Sequence, residues 1–143
     1  MNCRVESASW RMHKDELLAI RWQVFVDEQG VPADLEQDAY DHDAHHVVAR
    51  TNDDLAIGTG RLLTDGHIGR MAVLAAWRGR GVGTALLHTL LDVARSRGIQ
   101  RVALNAQVSA IPFYEKAGFR AECDIFDDAG IPHQRMTLTL SAS

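Results

Sequence analysis

Three glycines fall within five residues, in the run Arg78-Gly79-Arg80-Gly81-Val82-Gly83-Thr84, with an apolar stretch before it and a helix-period pattern after it. Each glycine costs regular structure roughly 0.5–1 kcal/mol, so neither a strand nor a helix runs through such a cluster and the chain must turn there. Without Cβ atoms the backbone of this turn can approach a ligand closely, present successive N–H groups outward and place them at the positive end of a helix dipole. That is a pyrophosphate-binding arrangement in form, and Arg78 and Arg80 add charge to it. A dinucleotide fingerprint needs glycine at its first, third and sixth positions, but counting from Gly79 the sixth is Thr84, and no acid follows about twenty residues on. The Gly-Lys-Ser/Thr of a P-loop is also absent.

The flanks set the fold class. Val82, Leu86, Leu87, Leu90, Leu91 and Ala94 recur at helical spacing and Gly98 suits a C-cap, which predicts a helix over residues 81–97. An apolar strand is expected at 101–105, so the order strand, helix, strand implies a right-handed crossover between parallel neighbours. Upstream, crowded apolar residues predict a largely buried helix over 15–26. Runs at 46–50, 55–63 and 67–74, separated by good turn residues, read as an antiparallel meander in which Gly58 and Gly60 suggest a bulge or a close backbone approach. Downstream, Ser109 as N-cap, Pro112 in the first turn and Gly118 as stop predict a short helix over 111–117. Residues 119–126 and 133–140 then form a closing hairpin around Asp127-Asp128-Ala129-Gly130. The expected architecture is a single α/β domain over residues 1–143, with a mixed central sheet of about six or seven strands flanked by about four helices.

Composition limits the partners. The 143 residues carry a formal net charge of −4, too acidic for a phosphate-backbone binder, so no nucleic acid is expected. The charge is segregated: residues 70–101 hold six arginines against Asp92 alone, whereas residues 27–43 hold seven acids and no Lys or Arg. A basic block inside an acidic protein fits one anionic ligand better than a polyanion. No apolar run is long enough for a transmembrane helix or a signal peptide, so the expectation is a soluble, cytoplasmic protein without membrane partners. Cys3 and Cys123 have no CxxC partner, and neither a disulfide nor a zinc site is expected. His42, His45 and His46 among Asp38, Asp41 and Asp43 could be read as a metal cluster, but they lack ligand groups at fixed helical spacing; no metal is expected.

Val73, Trp77 and Arg78-Gly79-Arg80-Gly81-Val82-Gly83 resemble the acyl-CoA loop of the GCN5-related N-acetyltransferases, whose core pattern is Arg/Gln-x-x-Gly-x-Gly/Ala. Ala75 stands where that family commonly has proline. The similarity extends through Asn105-Ala106-Gln107 and Phe113-Tyr114-Glu115-Lys116-Ala117-Gly118-Phe119. Val24 to Gln29, the loop ending Asp41-x-x-Ala44-x-His46, and Gly130-Ile131-Pro132-His133 resemble a bacterial subgroup of ElaA- and YjcF-like acetyltransferases, with similarity to glyphosate N-acetyltransferase-type enzymes. The resemblance implies acetyl-CoA as cosubstrate. Its pantetheine arm would lie along Met71, Ala72 and Val73, and its pyrophosphate on Arg78, Gly79, Arg80, Gly81, Val82, Gly83 and Thr84, with Asn105 and Phe113 also at the cofactor. It further implies acetyl transfer to a primary amine of a small molecule by direct attack in a ternary complex; a catalytically silent CoA sensor is the alternative, and a homodimer is the assembly kept open.

Acyl transfer from a thioester to an amine needs a base for the amine, polarisation of the carbonyl and a proton for the departing thiolate. By resemblance Tyr114 supplies that proton and a backbone N–H near Val73 polarises the carbonyl. His133 is the first candidate base, because imidazole as a residue type titrates near working pH, and Glu28 acting through water is the second. Arg21 and Arg70 match positions that bind an anionic acceptor in the glyphosate-acetylating relative, whereas Gln107 stands where a third arginine would be. The acidic run over 27–43 would favour a cationic amine instead, so the acceptor's charge stays open at this point.

Overall fold

A computed structural model describes residues 3–36 and 38–140. Ser9 accepts a hydrogen bond from the Met12 N–H (3.3 Å), and this cap starts helix α1 at Trp10–Arg21, five residues before the expected position. The apolar density that follows does not extend the α-helix: Trp22–Glu28 is a π-helical turn. Its wider winding lets Val24 stay buried against Ile20 and Ala72, with Phe25 packed alongside, while the chain leaves the helix axis. A short helix α2 (Ala33–Glu36) and a capped 3₁₀ turn (Ala39–His42) complete the acidic segment.

One antiparallel sheet follows the order β1 (Cys3–Ala8), β2 (His45–Thr51), β3 (Ala56–Leu62) and β4 (Ile68–Val73). The expected meander is β2 to β4. The edge strand β1 was not expected, since Cys-Arg-Val-Glu-Ser-Ala has too few apolar residues to read as a strand before its partner β2 is known. The second sheet is built on β8 (Ile131–Thr139), which pairs with β5 (Arg101–Gln107), with β6 (Arg120–Ala121) and with β7 (Phe126–Asp128). The expected mixed α/β architecture holds, and among the described residues its strands number eight, in two antiparallel sheets where one mixed sheet of six or seven was expected. Among the described residues the one parallel pairing is the bridge His67↔Ala103, supported by Ala103 N–H donating to the Gly66 carbonyl (3.1 Å). β4 and β5 are therefore parallel neighbours joined near the start of β4, and the space beyond is lined by residues of both.

A bulge shapes that opening. Thr59 pairs with Ala72 and Arg61 with Gly69, so Arg70 and Met71 together oppose Gly60, and Arg70 takes the left-handed conformation (φ +48°). Behind the sheet lies α3 (Val82–Ser96), whose six predicted apolar positions are all buried. Gly58 and Gly60 permit this contact, since a Cβ on either would stand 3.0 Å from a Leu86 or Leu90 methyl. Gly98 (φ +72°) ends α3 as expected, with Ile99 N–H donating to the Ala94 carbonyl (3.0 Å).

The next helix, α4 (Ile111–Lys116), differs at its start. A 3₁₀ turn, Val108–Ala110, precedes it and no side chain caps it, so Ser109 is not the N-cap; Pro112 and Gly118 (φ +101°) play their expected parts. The predicted strand over 119–126 is split into β6 and β7, and Ala129 (φ +53°) and Gly130 (φ +79°) form the tight turn into β8. Among the described residues no helix is long and apolar enough to cross a membrane.

Candidate active site

Two connected clefts open where β4 and β5 part. The smaller, about 400 Å³, is bounded by Met71, Ala72 and Val73 on one wall and by Phe113 and Tyr114 of α4 on the other. The glycine loop forms its mouth. Gly79 (φ +74°) and Gly81 (φ +85°) occupy the left-handed region that glycine reaches without penalty, and Gly81 caps α3 with no side chain of its own. The first N–H groups of α3 have no intrahelical partners and are left for a ligand, at the positive end of the helix dipole. These features fit a pyrophosphate.

The edge of β4 carries the second set of donors. Leu74 N–H bonds the Ile57 carbonyl of β3 (2.9 Å), so by strand alternation the peptide groups of Val73 face away from β3 and into the cleft. The Arg78 Nε–H donates to the Val73 carbonyl (2.9 Å), which leaves the Val73 N–H as the donor available to a ligand. The same guanidinium grips the Glu28 carboxylate through two bonds of 2.9 Å. Glu28, expected beside the acceptor, thus ties the π-helical turn to the donor loop and lines neither cleft. Arg80 also lies off the walls; its guanidinium stacks over Trp77 at 5.1 Å.

The larger cleft, about 520 Å³, brings together Arg70, Met71, Asn105, Tyr114 and His133. Asn105 belongs here and not, as expected, to the donor cleft. Gln29, Met71, Ala110 and Tyr114 line both clefts and mark the junction. Across it Gln107 and Gln29 exchange amide hydrogen bonds of 2.8 and 3.4 Å, which closes the position where the resemblance would place a third arginine.

Tyr114 and His133 both face the larger cleft. Burial pushes the Tyr114 phenol up to about 12, and among the described residues its hydroxyl donates to the Met71 thioether (3.7 Å), a weak acceptor. It is a retained, loosely held proton at the junction. His133 is mostly buried, stacks on Phe126, and its Nδ1–H donates to the Ile131 carbonyl (2.7 Å). Because a carbonyl only accepts, this bond places a proton on Nδ1 and leaves Nε2 outside it.

Behind the larger cleft sits an ion cluster. Arg21, 1% exposed, donates to the carboxylates of Glu36 and Asp41, the latter at 2.8 and 3.1 Å. Arg61 bonds Asp38 (2.7 and 2.8 Å) and Asp41 (2.7 Å), and Arg70 bonds the Glu36 carbonyl (2.9 Å) and Asp38 (3.2 Å). Arg61 hydrogen bonding holds the Asp38 carboxyl below the usual carboxylate range. Burial works to raise Asp41, but the Arg21 and Arg61 guanidiniums outweigh it and its pKa is also lowered. The expectation that Arg21 binds the acceptor is therefore corrected: it lines neither cleft and its guanidinium is spent on internal carboxylates. His46 is likewise internal, stacked on Trp10 and bonded to the Asp41 carbonyl (2.9 Å), whereas His45 bonds Ser7 and Arg97.

Sequence reasoning missed Asp38, Arg61, Gln29 and Asp128 as cleft residues. Asp38 belongs to a conspicuous acidic run, but only its pairing with Arg61 and Arg70 shows that it forms the wall. Gln29 had no signal of its own, because its role depends on meeting Gln107 from 78 positions away.

Known proteins share this architecture. The model of the acetyltransferase (GNAT) domain matches residues 10–140. The uncharacterized N-acetyltransferase YjcF of Bacillus subtilis is 39% identical over 121 residues, covering 82% of this chain and 86% of that protein. Among solved structures, an acyl-CoA N-acyltransferase from Pseudomonas aeruginosa superposes with a TM-score of 0.83 at 30% identity, covering 94% of this chain and 98% of that one. Escherichia coli ElaA matches with the same TM-score and the same coverage at 28% identity.

Proposed function

The chain belongs to the GNAT acetyltransferase family, and on that premise we propose that it transfers acetyl from acetyl-CoA directly to the primary amine of a small molecule bound in the larger cleft. The observation that carries this reading is the junction. A cleft suited to pyrophosphate and a polar cleft meet at Met71 and Tyr114, so a thioester entering from one side and an amine from the other come together beside a buried, protonated phenol.

In this reading the loop amides hold the pyrophosphate and the β4 edge orders the pantetheine arm. The Val73 N–H takes the developing charge on the thioester oxygen. The His133 Nε2 accepts the amine proton as the nitrogen attacks the carbonyl carbon. The C–N bond forms, the C–S bond breaks, and the Tyr114 hydroxyl protonates the departing thiolate, so the products are an N-acetyl amide and the free thiol of CoA. Glu28 and Arg78 act as positioning residues, fixing the loop against the π-helical turn.

Titration calorimetry with acetyl-CoA, followed by initial rates of thiol release over an amine panel, tests the proposal. Binding well below millimolar and intersecting double-reciprocal plots are expected. Absence of acetyl-CoA binding overturns it, and binding without turnover of any amine reduces the protein to a CoA-binding module.

A further inference from the structure

Charge matching in the larger cleft goes further than the family does, because the arginines that would greet an anionic acceptor are already matched. Arg21, Arg61 and Arg70 interlock with Glu36, Asp38 and Asp41, three guanidiniums against three carboxylates. Asp38 shows how complete the matching is. Its two oxygens accept two bonds from Arg61, one from Arg70 and one from the Tyr40 N–H, the full capacity of a carboxylate. An acceptor carboxylate or phosphate entering here would have to displace a protein carboxylate from a guanidinium and leave that carboxylate desolvated. The amides of Gln29 and Gln107, bonded to one another, add no charge at the junction.

The remaining charge on the cleft wall is of the opposite sign. Asp128 lines the same cleft, stands exposed at the end of β7, and among the described residues makes no ion pair. Among the guanidiniums and carboxylates of the cleft and of the cluster behind it, the cluster is internally neutral and the Asp128 carboxylate at the rim is left over.

Resting on the reading of this cleft as the acceptor site, we propose that the acceptor is a primary amine bearing no carboxylate or phosphate, and that Asp128 gives preference to one carrying a second positive charge. The ammonium that Asp128 holds is the distal one; the reacting amine lies at the junction near His133.

Four probes of matched length decide this: butylamine, putrescine, γ-aminobutyrate and aminobutyl phosphate, titrated into the CoA-loaded protein with binding read by chemical shift, and assayed separately for thiol release with acetyl-CoA. Putrescine binds about two- to fivefold more tightly than butylamine, the range expected of one exposed ion pair, and the advantage shrinks with added salt. The two anionic probes bind at least about tenfold more weakly than butylamine. Asp128→Asn removes the putrescine advantage and leaves acetyl-CoA affinity unchanged, whereas Asp128→Lys reverses the order of the two cationic probes. Equal or tighter binding of γ-aminobutyrate or aminobutyl phosphate overturns the inference, as does binding of none of the four. A putrescine advantage that survives Asp128→Asn overturns the assignment to Asp128. The predicted binding order without any thiol release leaves this inference standing and overturns the proposed acetyl transfer.

Discussion

Replacing Asp41 with asparagine keeps the side-chain shape and removes one charge from the buried part of the ion cluster. Asp41 is fully buried, and its carboxylate accepts bonds from Arg21 at 2.8 and 3.1 Å and from Arg61 at 2.7 Å. Asp41→Asn leaves three buried or half-buried guanidiniums facing two carboxylates, and breaking a buried pair in this way costs about 3–5 kcal/mol. Unfolding entropy of ~2.1 cal/mol/K per residue converts that loss to a fall in Tm of roughly 10–16 °C for a chain of this length. Urea unfolding followed by circular dichroism should show the midpoint falling with an unchanged m-value. The pH dependence has a definite sign. The folded pKa of Asp41 is lowered, so its contribution is complete above the unfolded value near ~3.9 and disappears as pH falls through the lower folded value. The gap between wild type and Asp41→Asn therefore narrows only below about pH 4. Adding Arg21→Met restores charge balance and should return at least ~1 kcal/mol. A loss below ~1 kcal/mol for Asp41→Asn, or a gap that does not narrow in acid, refutes the argument that the cluster is a closed and mutually dependent set.

Tyr114→Phe keeps the ring packing and removes the proton, so kcat falls by ~10²–10⁴ with little change in acetyl-CoA KM. Since the phenol titrates only at about 12, wild-type kcat shows no alkaline loss from this group below about pH 11, which a pH–rate profile checks. His133→Gln lowers kcat/KM for the amine by about tenfold or more without moving acetyl-CoA affinity, measured by initial rates and calorimetry. Gly83→Val raises acetyl-CoA KM by about tenfold or more, because a Cβ there already stands 3.5 Å from Phe113 and the branched methyls must enter the cleft. Ala129→Gly relieves a left-handed alanine (φ +53°) and raises stability by about 0.5–1 kcal/mol in urea titration.

Much of the architecture was legible because its causes are local. The period of Val82 to Ala94 is a property of adjacent residues, and Gly98 and Gly118 end their helices through their own backbone freedom, so α3, the stop of α4 and the glycine loop needed no knowledge of the rest. The meander was readable for the same reason, as turn residues separate β-branched runs. Elements that depend on a distant partner were misjudged. The strand β1 exists because β2 offers it a ladder, and the π-helical turn because Val24 and Phe25 must reach Ala72.

The sequence by itself marked a loop whose form suits an anionic ligand, since closely spaced glycines at a helix start need no partner to present their N–H groups, and it singled out Tyr114 and His133 through resemblance to family segments. Only the tertiary structure decided what the charges do. Arg21 and Arg70 are both arginines beside apolar residues in the sequence. One is sealed beneath α2 with Glu36 and Asp41; the other is turned by a β-bulge onto the cleft wall and tied to Asp38. Glu28 looked free for chemistry until the fold placed Arg78 against it from fifty positions away. The reason is that a charge acts through whatever opposite charge lies within a few ångströms, and for Arg21, Arg70 and Glu28 those neighbours are 15 to 50 residues away.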